Sequence, residues 1–238
     1  MDLYSPIFTR KSTRKFDPTP LDSETIHQVE LFIAAVKPLL PGSQITHKIV
    51  GAKDVKSLLA PNAPHFIVIS GKAQPLRNTC AGFLFQHVDL YLFSMGLASR
   101  WLATVKPKQA DSDFIISQAF GKPAEPAART PQEFDRKSVA EIAEGTDPRF
   151  DAVRLAPSGV NGQPWHFIVD GDAVHVYFRK KLGGLVGMTY NQTDLDAGIA
   201  LCHMAVASEH FGKPFHFNPS HQNPPTPPKG FLYAGTVE

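Results

Sequence analysis

The sequence predicts an α+β protein made of two similar halves. Three observations point there. Two long apolar helical segments, 78–97 and 194–211, stand in comparable places along the chain. Short apolar runs of strand character accompany each of them, at 65–69 and at 167–178 among others. The tripeptide Gly-Lys-Pro also occurs twice, at 121–123 and 212–214, each time ahead of a strand-like run.

Taken in order, the chain opens with Leu3, Tyr4, Ile7 and Phe8, then the basic run Arg10, Lys11, Ser12, Arg14, Lys15. Alternate side chains of an extended segment point the same way, so Arg10, Ser12 and Arg14 would share a face. Two guanidinium forks and a hydroxyl suit a phosphate monoester; the other reading is a solvated basic arm. Pro18 and Pro20, followed by Asp22 or Ser23 as cap, mark a helix start, and Ile26, Val29, Phe32, Ile33 and Val36 recur at helical spacing until Pro38. Residues 45–50 alternate as a strand, 53–59 read as a short helix and 65–69 as a buried strand. The segment 78–97 is apolar on most faces, which makes it the core helix of the first half, closed by Gly96. Residues 114–119 read as a short helix, and 123–131, rich in Pro and Ala, as a surface crossing. Residues 134–142 contain Arg136 and Lys137 and read as a charged helix start with Ser138 as cap.

Residues 145–148 are the boundary between halves, giving units of 1–145 and 146–238. In the second, Gly171-Asp172 marks a hairpin. A loop over 183–189 leads to the helix 194–211. A strand at 214–217, a Pro-rich extended stretch at 220–228 and a last strand at 231–237 follow. His203 and His210 have no acid cluster with them, so no metal site is assigned.

The densest turn chemistry lies at 154–169. Pro157 and Pro164 fix φ, Ser158 and Asn161 offer short polar side chains, and Gly159 and Gly162 allow close backbone approach. A helix-to-strand connection needs one or two such residues. The excess is either a well-capped loop or a ligand site.

Composition bounds the function. The chain has 238 residues, 42% of them apolar and 19% charged, with a net charge of +2, so nothing favours nucleic acid or an anionic membrane as partner. Cys80 and Cys202 are isolated and lack metal-ligand spacing. The start of the chain shows no basic region and apolar run of a signal peptide, and no apolar stretch is long enough to span a bilayer; a cytoplasmic location is expected.

The stretch Pro157-Ser158-Gly-Val-Asn161-Gly-Gln163-Pro164-Trp165 resembles the Pro-Ser-x-x-Asn-x-Gln-Pro-Trp segment of the flavin-dependent nitroreductase family, and Arg10-Lys-Ser12-Thr-Arg14 resembles its N-terminal Arg-x-Ser-x-Arg. The resemblance covers most of residues 8–217. It implies a nitroreductase-like fold and FMN as cofactor. Arg10 and Ser12 would lie at the phosphate with Arg136 or Lys137, the counterparts of the family's late basic pair. Arg14 would lie toward the ribityl chain and pyrimidine edge. Leu102, Ala103 and Thr104, after Gly96 and Trp101, would pass the flavin edge near N5; otherwise Trp101 is simply a core aromatic. Pro157, Ser158, Asn161 and Gln163 would close the site.

In that family the two motifs around one flavin come from different subunits of a dimer. Here the first half has Arg-x-Ser-x-Arg but only Pro38-Leu-Leu-Pro-Gly-Ser43 where the second has its Asn turn, and the second half lacks the arginines. The implied architecture is a single-chain pseudo-dimer, either monomeric or weakly dimerising, with one cofactor site at the junction. The implied activity is hydride transfer from NAD(P)H to flavin N5 and on to an electron-poor small-molecule acceptor, in ping-pong order. No catalytic side chain is needed. A Gly-rich dinucleotide fingerprint is absent, so the nicotinamide would be a transient substrate. The alternatives are a flavin-binding or vestigial module without turnover, and a phosphate-ligand binding protein without flavin.

Overall fold

Local signals in the sequence set the first elements. The Asp22 side chain accepts from the Thr25 N–H at 2.7 Å and starts helix α2, Ser23–Ala35; a short helix α1, Tyr4–Ile7, precedes it. The computed structural model describes residues 1–56, 61–184 and 190–238. The first half continues with strands β1 (Ile45–Gly51), β2 (Val55–Lys56) and β3 (His65–Gly71), helix α3 (Arg77–Ser94), and strands β4 (Ala98–Leu102), β5 (Lys106–Pro107) and β6 (Phe114–Gly121). Helix α4 (Val139–Ile142) and strand β7 (Ala143–Glu144) lead to the second half. That half holds helix α5 (Phe150–Val153), strands β8 (Trp165–Asp170) and β9 (Ala173–Arg179), helix α6 (Thr193–Phe211), and strands β10 (Phe217–Asn218) and β11 (Phe231–Val237).

Four expectations need correction. Residues 114–119 are not a helix but most of β6, which pairs with β3 on one side and β4 on the other. A strand buried on both faces carries an unbroken apolar run, which period alone does not separate from a short helix. Residues 53–59 were expected to be helical; only Ala52–Asp54 form a 3-10 turn before β2, and 57–59 lie outside the described residues. The strand expected at 214–217 is reduced to the two residues of β10. Finally, Gly-Lys-Pro at 121–123 closes a strand while its twin at 212–214 closes a helix, so the two tripeptides are not equivalent. Of the loop expected at 183–189, residues 185–189 lie outside the described residues.

The duplication itself is plain in the topology. The first sheet has the order β1-β3-β6-β4, and the second has β8-β9-β11-β10, with β7 added in parallel beside β8. Each sheet is thus two strands, a long helix and two more strands, ordered alike. The long helices α3 and α6 cross at a pair of glycines. A Cβ on Gly82 would stand 2.1 Å from the Leu195 carbonyl oxygen, and one on Gly198 would stand 2.0 Å from that of Thr79. Only glycine permits so close an approach. Next to the crossing, Asn78 Nδ2 donates to Asp194 Oδ2 at 3.0 Å, and these two residues are 116 positions apart. The same offset relates Gly82 to Gly198, and the left-handed helix terminator Gly96 to its counterpart Gly212.

The main core is continuous across both halves and includes Ile67, Leu90, Phe150, Trp165 and Ile199. A smaller cluster of Phe16, Phe66, Val68, Ala98, Leu102 and Ala119 lies on the other face of the first sheet. No helix among the described residues is long and apolar enough to cross a membrane.

Candidate functional site

The N-terminal basic run does not form a regular strand. Lys11 N–H donates to the Ala127 carbonyl at 3.0 Å and Arg129 N–H to that of Thr9 at 2.7 Å, so residues 9–11 run antiparallel to 127–129. Beyond this, Thr13 N–H donates to the Ser99 carbonyl at 3.1 Å and the chain bends at Arg14. The buried positions are therefore Arg10, Thr13 and Phe16, at a spacing of three, while Ser12 and Arg14 are exposed. The shared face expected of Arg10, Ser12 and Arg14 is not formed.

The Arg10 side chain turns inward. Its Nε lies 3.0 Å from Asp89 Oδ2, and the two side chains are 5% and 0% exposed. Asp89 also accepts from Gln86 Nε2 at 3.0 Å, from Gln118 Nε2 at 3.2 Å and from the Ser99 hydroxyl. A carboxylate that takes donors from four residues is itself well satisfied and neutralises the buried arginine. The network reaches the second half through Gln86, whose Nε2 donates to His203 Nε2 at 3.2 Å; His203 Nδ1 in turn donates to the Ala152 carbonyl at 2.9 Å. Trp101 Nε1 donates to Gln86 Oε1 at 3.2 Å.

The turn 158–163 is the strained part of the site. Val160, Asn161 and Gln163 have φ of 49°, 56° and 44°, in the left-handed region that non-glycine residues avoid. What holds them there is a set of side-chain bonds. Ser158 Oγ accepts from Gln163 N–H at 2.9 Å, and Asp196 Oδ1 accepts from Gly159 N–H at 3.0 Å and from the Tyr190 hydroxyl at 2.9 Å. Burial raises the Asp196 carboxyl well above the usual carboxylate range, against the two hydrogen bonds that lower it. The residue at its equivalent position in the first half is Cys80. Burial pushes the Cys80 thiol up to about 11, although bonds with the Leu40 backbone and the Ser43 hydroxyl oppose the shift. The short turn 38–43 thus occupies the place that 157–163 has in the second half.

This turn closes onto Arg136 and Lys137. Arg136 Nη1 donates to Asn161 Oδ1 at 2.7 Å, and Asn161 Nδ2 donates to the Asp135 carbonyl at 3.0 Å. Lys137 N–H donates to Gln163 Oε1 at 2.7 Å, and its Nζ donates to the Gln163 carbonyl at 3.1 Å. Ser158, Asn161, Gln163, Arg136 and Lys137 are therefore one unit, drawn from both halves, with Pro157 at its entry. Ser138 is also the helix cap expected of it, with Glu141 returning to its N–H at 2.8 Å. The charged helix start expected of this segment is therefore formed.

Sequence reasoning missed Arg129. Its Nε donates to the Arg10 carbonyl at 3.0 Å, and its guanidinium carbon sits 4.1 Å from the centre of the Phe134 ring; that of Arg136 is 5.8 Å from the same ring. Among the described residues neither Arg129 nor Arg136 has a carboxylate within ion-pairing distance, and Arg136 Nε is buried without any partner. Burial, and then neighbouring guanidiniums, push both arginines down to about 10, while Glu133 and Asp135 pull the other way. Arg154 adds its charge near Arg136. Such a concentration of positive charge is a place for an anion.

Among the described residues no hydrogen bond joins Leu102, Ala103 or Thr104 to the Arg136–Asn161 unit. Leu102 belongs to the smaller core cluster, and Ala103 and Thr104 are exposed beyond the end of β4. Strand alternation explains it: Ser99 and Trp101 face α3, so Ala98 and Leu102 face away. A cleft of about 670 Å³ between Thr46, Lys48, Ser70 and Asp111 lies on that far face of the first sheet, apart from the arginines.

The chain matches the family described as "Putative TM nitroreductase" over residues 2–208. No curated protein matches it. Among solved structures, that of a "putative nitroreductase" from Thermotoga maritima is similar over 100% of this chain and 93% of its own, with 18% identity and a TM-score of 0.69, which shows a shared fold. A "nitroreductase family protein" from Clostridium difficile matches over 59% of this chain and 95% of its own, with 15% identity and a TM-score of 0.47. With nearly the whole length matched by the family, and with the fold in agreement, the chain belongs to the nitroreductase family of oxidoreductases.

Proposed function

We propose that this chain is an FMN-dependent oxidoreductase that uses NADH or NADPH to reduce an electron-poor small molecule, with one flavin site shared by the halves 1–145 and 146–238. One observation carries the reading: unpaired guanidiniums and the partnerless Arg136 Nε converge where the Ser158–Gln163 turn meets the first half. A flavin phosphate fits this donor set, since it would supply the acceptor oxygens that the described residues do not.

FMN, when bound, would supply the two-electron chemistry that links the nicotinamide to the acceptor. The chain supplies position and charge. Arg136 and Lys137 hold the anionic end, Asn161 orients Arg136, and Ser158 with Gln163 keeps the turn in its strained shape. Pro157 fixes the entry to that turn. The exposed Ser12 and Arg14 remain free to meet the rest of the cofactor. Positive charge from Arg14 would favour the reduced, anionic flavin.

An absorbance spectrum of the purified protein tests this, taken before and after anaerobic addition of NADH or NADPH. Flavin bands that bleach are the expected result; a colourless protein that takes up no FMN would end the reading. A module that binds flavin without turnover has one observation in its favour, the commitment of Arg10 to Asp89, and it would show as bands that persist.

A further inference from the structure

The four guanidiniums near the junction are not equivalent. Arg10 is neutralised by Asp89 at 3.0 Å in a buried pair, and Arg154 has Asp151 at 3.6 Å. Arg129 and Arg136 have no such partner among the described residues. Their remaining donors differ in use: Arg129 commits only Nε, to the Arg10 carbonyl, and Arg136 commits only Nη1, to Asn161 and the Asp135 carbonyl. Among the described residues both terminal nitrogens of Arg129 and the Nη2 of Arg136 have no hydrogen-bond partner, and both cations lie against the one ring of Phe134.

We propose that the anion of this site, a dianionic phosphate monoester, is bound by the Arg129–Arg136 pair across Phe134, and that Arg10 takes no direct part. The inference rests on the flavin reading for the ligand's identity, though not for its charge. Arg10 would act from beneath. Its side chain is anchored on Asp89, and its carbonyl holds Arg129 Nε, so the buried pair fixes the backbone on which Arg129 is aimed. That makes Arg10 and Asp89 positioning residues and Arg129 a binding residue that the N-terminal motif does not contain. Arg10 spends Nε and Nη1 on Asp89, which neutralises its charge, whereas Arg129 and Arg136 can engage an anion with their charge undivided.

The test compares equilibrium binding of FMN and of riboflavin, which lacks the phosphate, in the full chain and in Arg129→Ala, Arg136→Ala and Arg129→Lys. Loss of a charge-assisted bond to phosphate weakens binding roughly 10- to 100-fold. The expected outcome is that fall for FMN in both alanine variants, no change for riboflavin, and partial recovery with lysine. Arg129 and Arg136 are only partly buried, and a thermal melt of each variant establishes that it folds. If FMN keeps its advantage over riboflavin in both alanine variants, the assignment is overturned. If the parent binds neither flavin, titration with phenyl phosphate decides separately. Binding that disappears in the two alanine variants upholds the anion site and removes the flavin. No binding of phenyl phosphate by the parent overturns both.

Discussion

Asp89 Oδ2 meets Arg10 Nε at 3.0 Å in a part of the molecule nearly closed to water, on the seam where α3, β4, β6 and α6 come together. Breaking such a pair from one side leaves the other charge buried alone. Asp89→Ala is therefore expected to lose about 3–5 kcal/mol of stability in denaturant unfolding. The double substitution Arg10→Met, Asp89→Leu should recover most of that loss. A double variant as unstable as the single one would show that the pair is not what matters there.

The glycine crossing allows no side chain. Gly198→Ala would force a carbon to within 2.0 Å of the Thr79 carbonyl oxygen, so the helices must part. The expected cost is about 3 kcal/mol, with a melting point lower by roughly 6–12 °C. Gly82→Ala should behave alike, because it meets Leu195 in the same way. Unequal effects would mean that the two glycines of the crossing do not carry equal load.

Burial drives His203 down to about 3, helped by the charges of Arg10 and Arg136 and opposed by its bond to Ala152. The unfolded chain takes up a proton at this residue below about pH 6.5, while the folded chain does not until near pH 3. Stability from this group is thus complete above pH 6.5 and declines as the pH falls below it. His203→Gln should flatten the pH dependence of the melting point between pH 6.5 and 4; an unchanged slope would assign the acid sensitivity to other groups.

Val160 is 61% exposed and β-branched, with φ at 49°. It loses little burial if shortened, and glycine adopts that backbone without strain. Val160→Gly is expected to stabilise the protein by about 1 kcal/mol in chemical unfolding. A loss of stability would mean that the exposed side chain packs on something.

Where the sequence was informative, the signal was local. The surplus of Pro, Ser, Gly and Asn at 157–164 marked a turn that must hold an uncommon shape, and that turn does bind Arg136 and Lys137. The two apolar helices and the hairpin were legible from period and turn chemistry. Arg129 was not, because its setting depends on an antiparallel pairing between residues 9–11 and 127–129 that no local pattern announces. Asp89 left a trace. Together with Gln86 it is a polar residue in an otherwise apolar helix, and buried polar groups require partners. The face expected of Arg10, Ser12 and Arg14 is not formed because alternation predicts a face only where the backbone is a regular strand, and that segment is pinned at Arg10, Thr13 and Phe16 instead.

Joining two equivalent units in one chain changes what substitution can do. In an assembly of identical subunits, Cys80 and Asp196 would be one codon, and a carboxylate suited to the turn at Gly159 would be imposed on the turn at Ser43 as well. Here each position answers to its own neighbours. The tether also makes the pairing of the halves independent of dilution, since neither can diffuse from the other. Each turn can thus change in length and chemistry without imposing that change on the other.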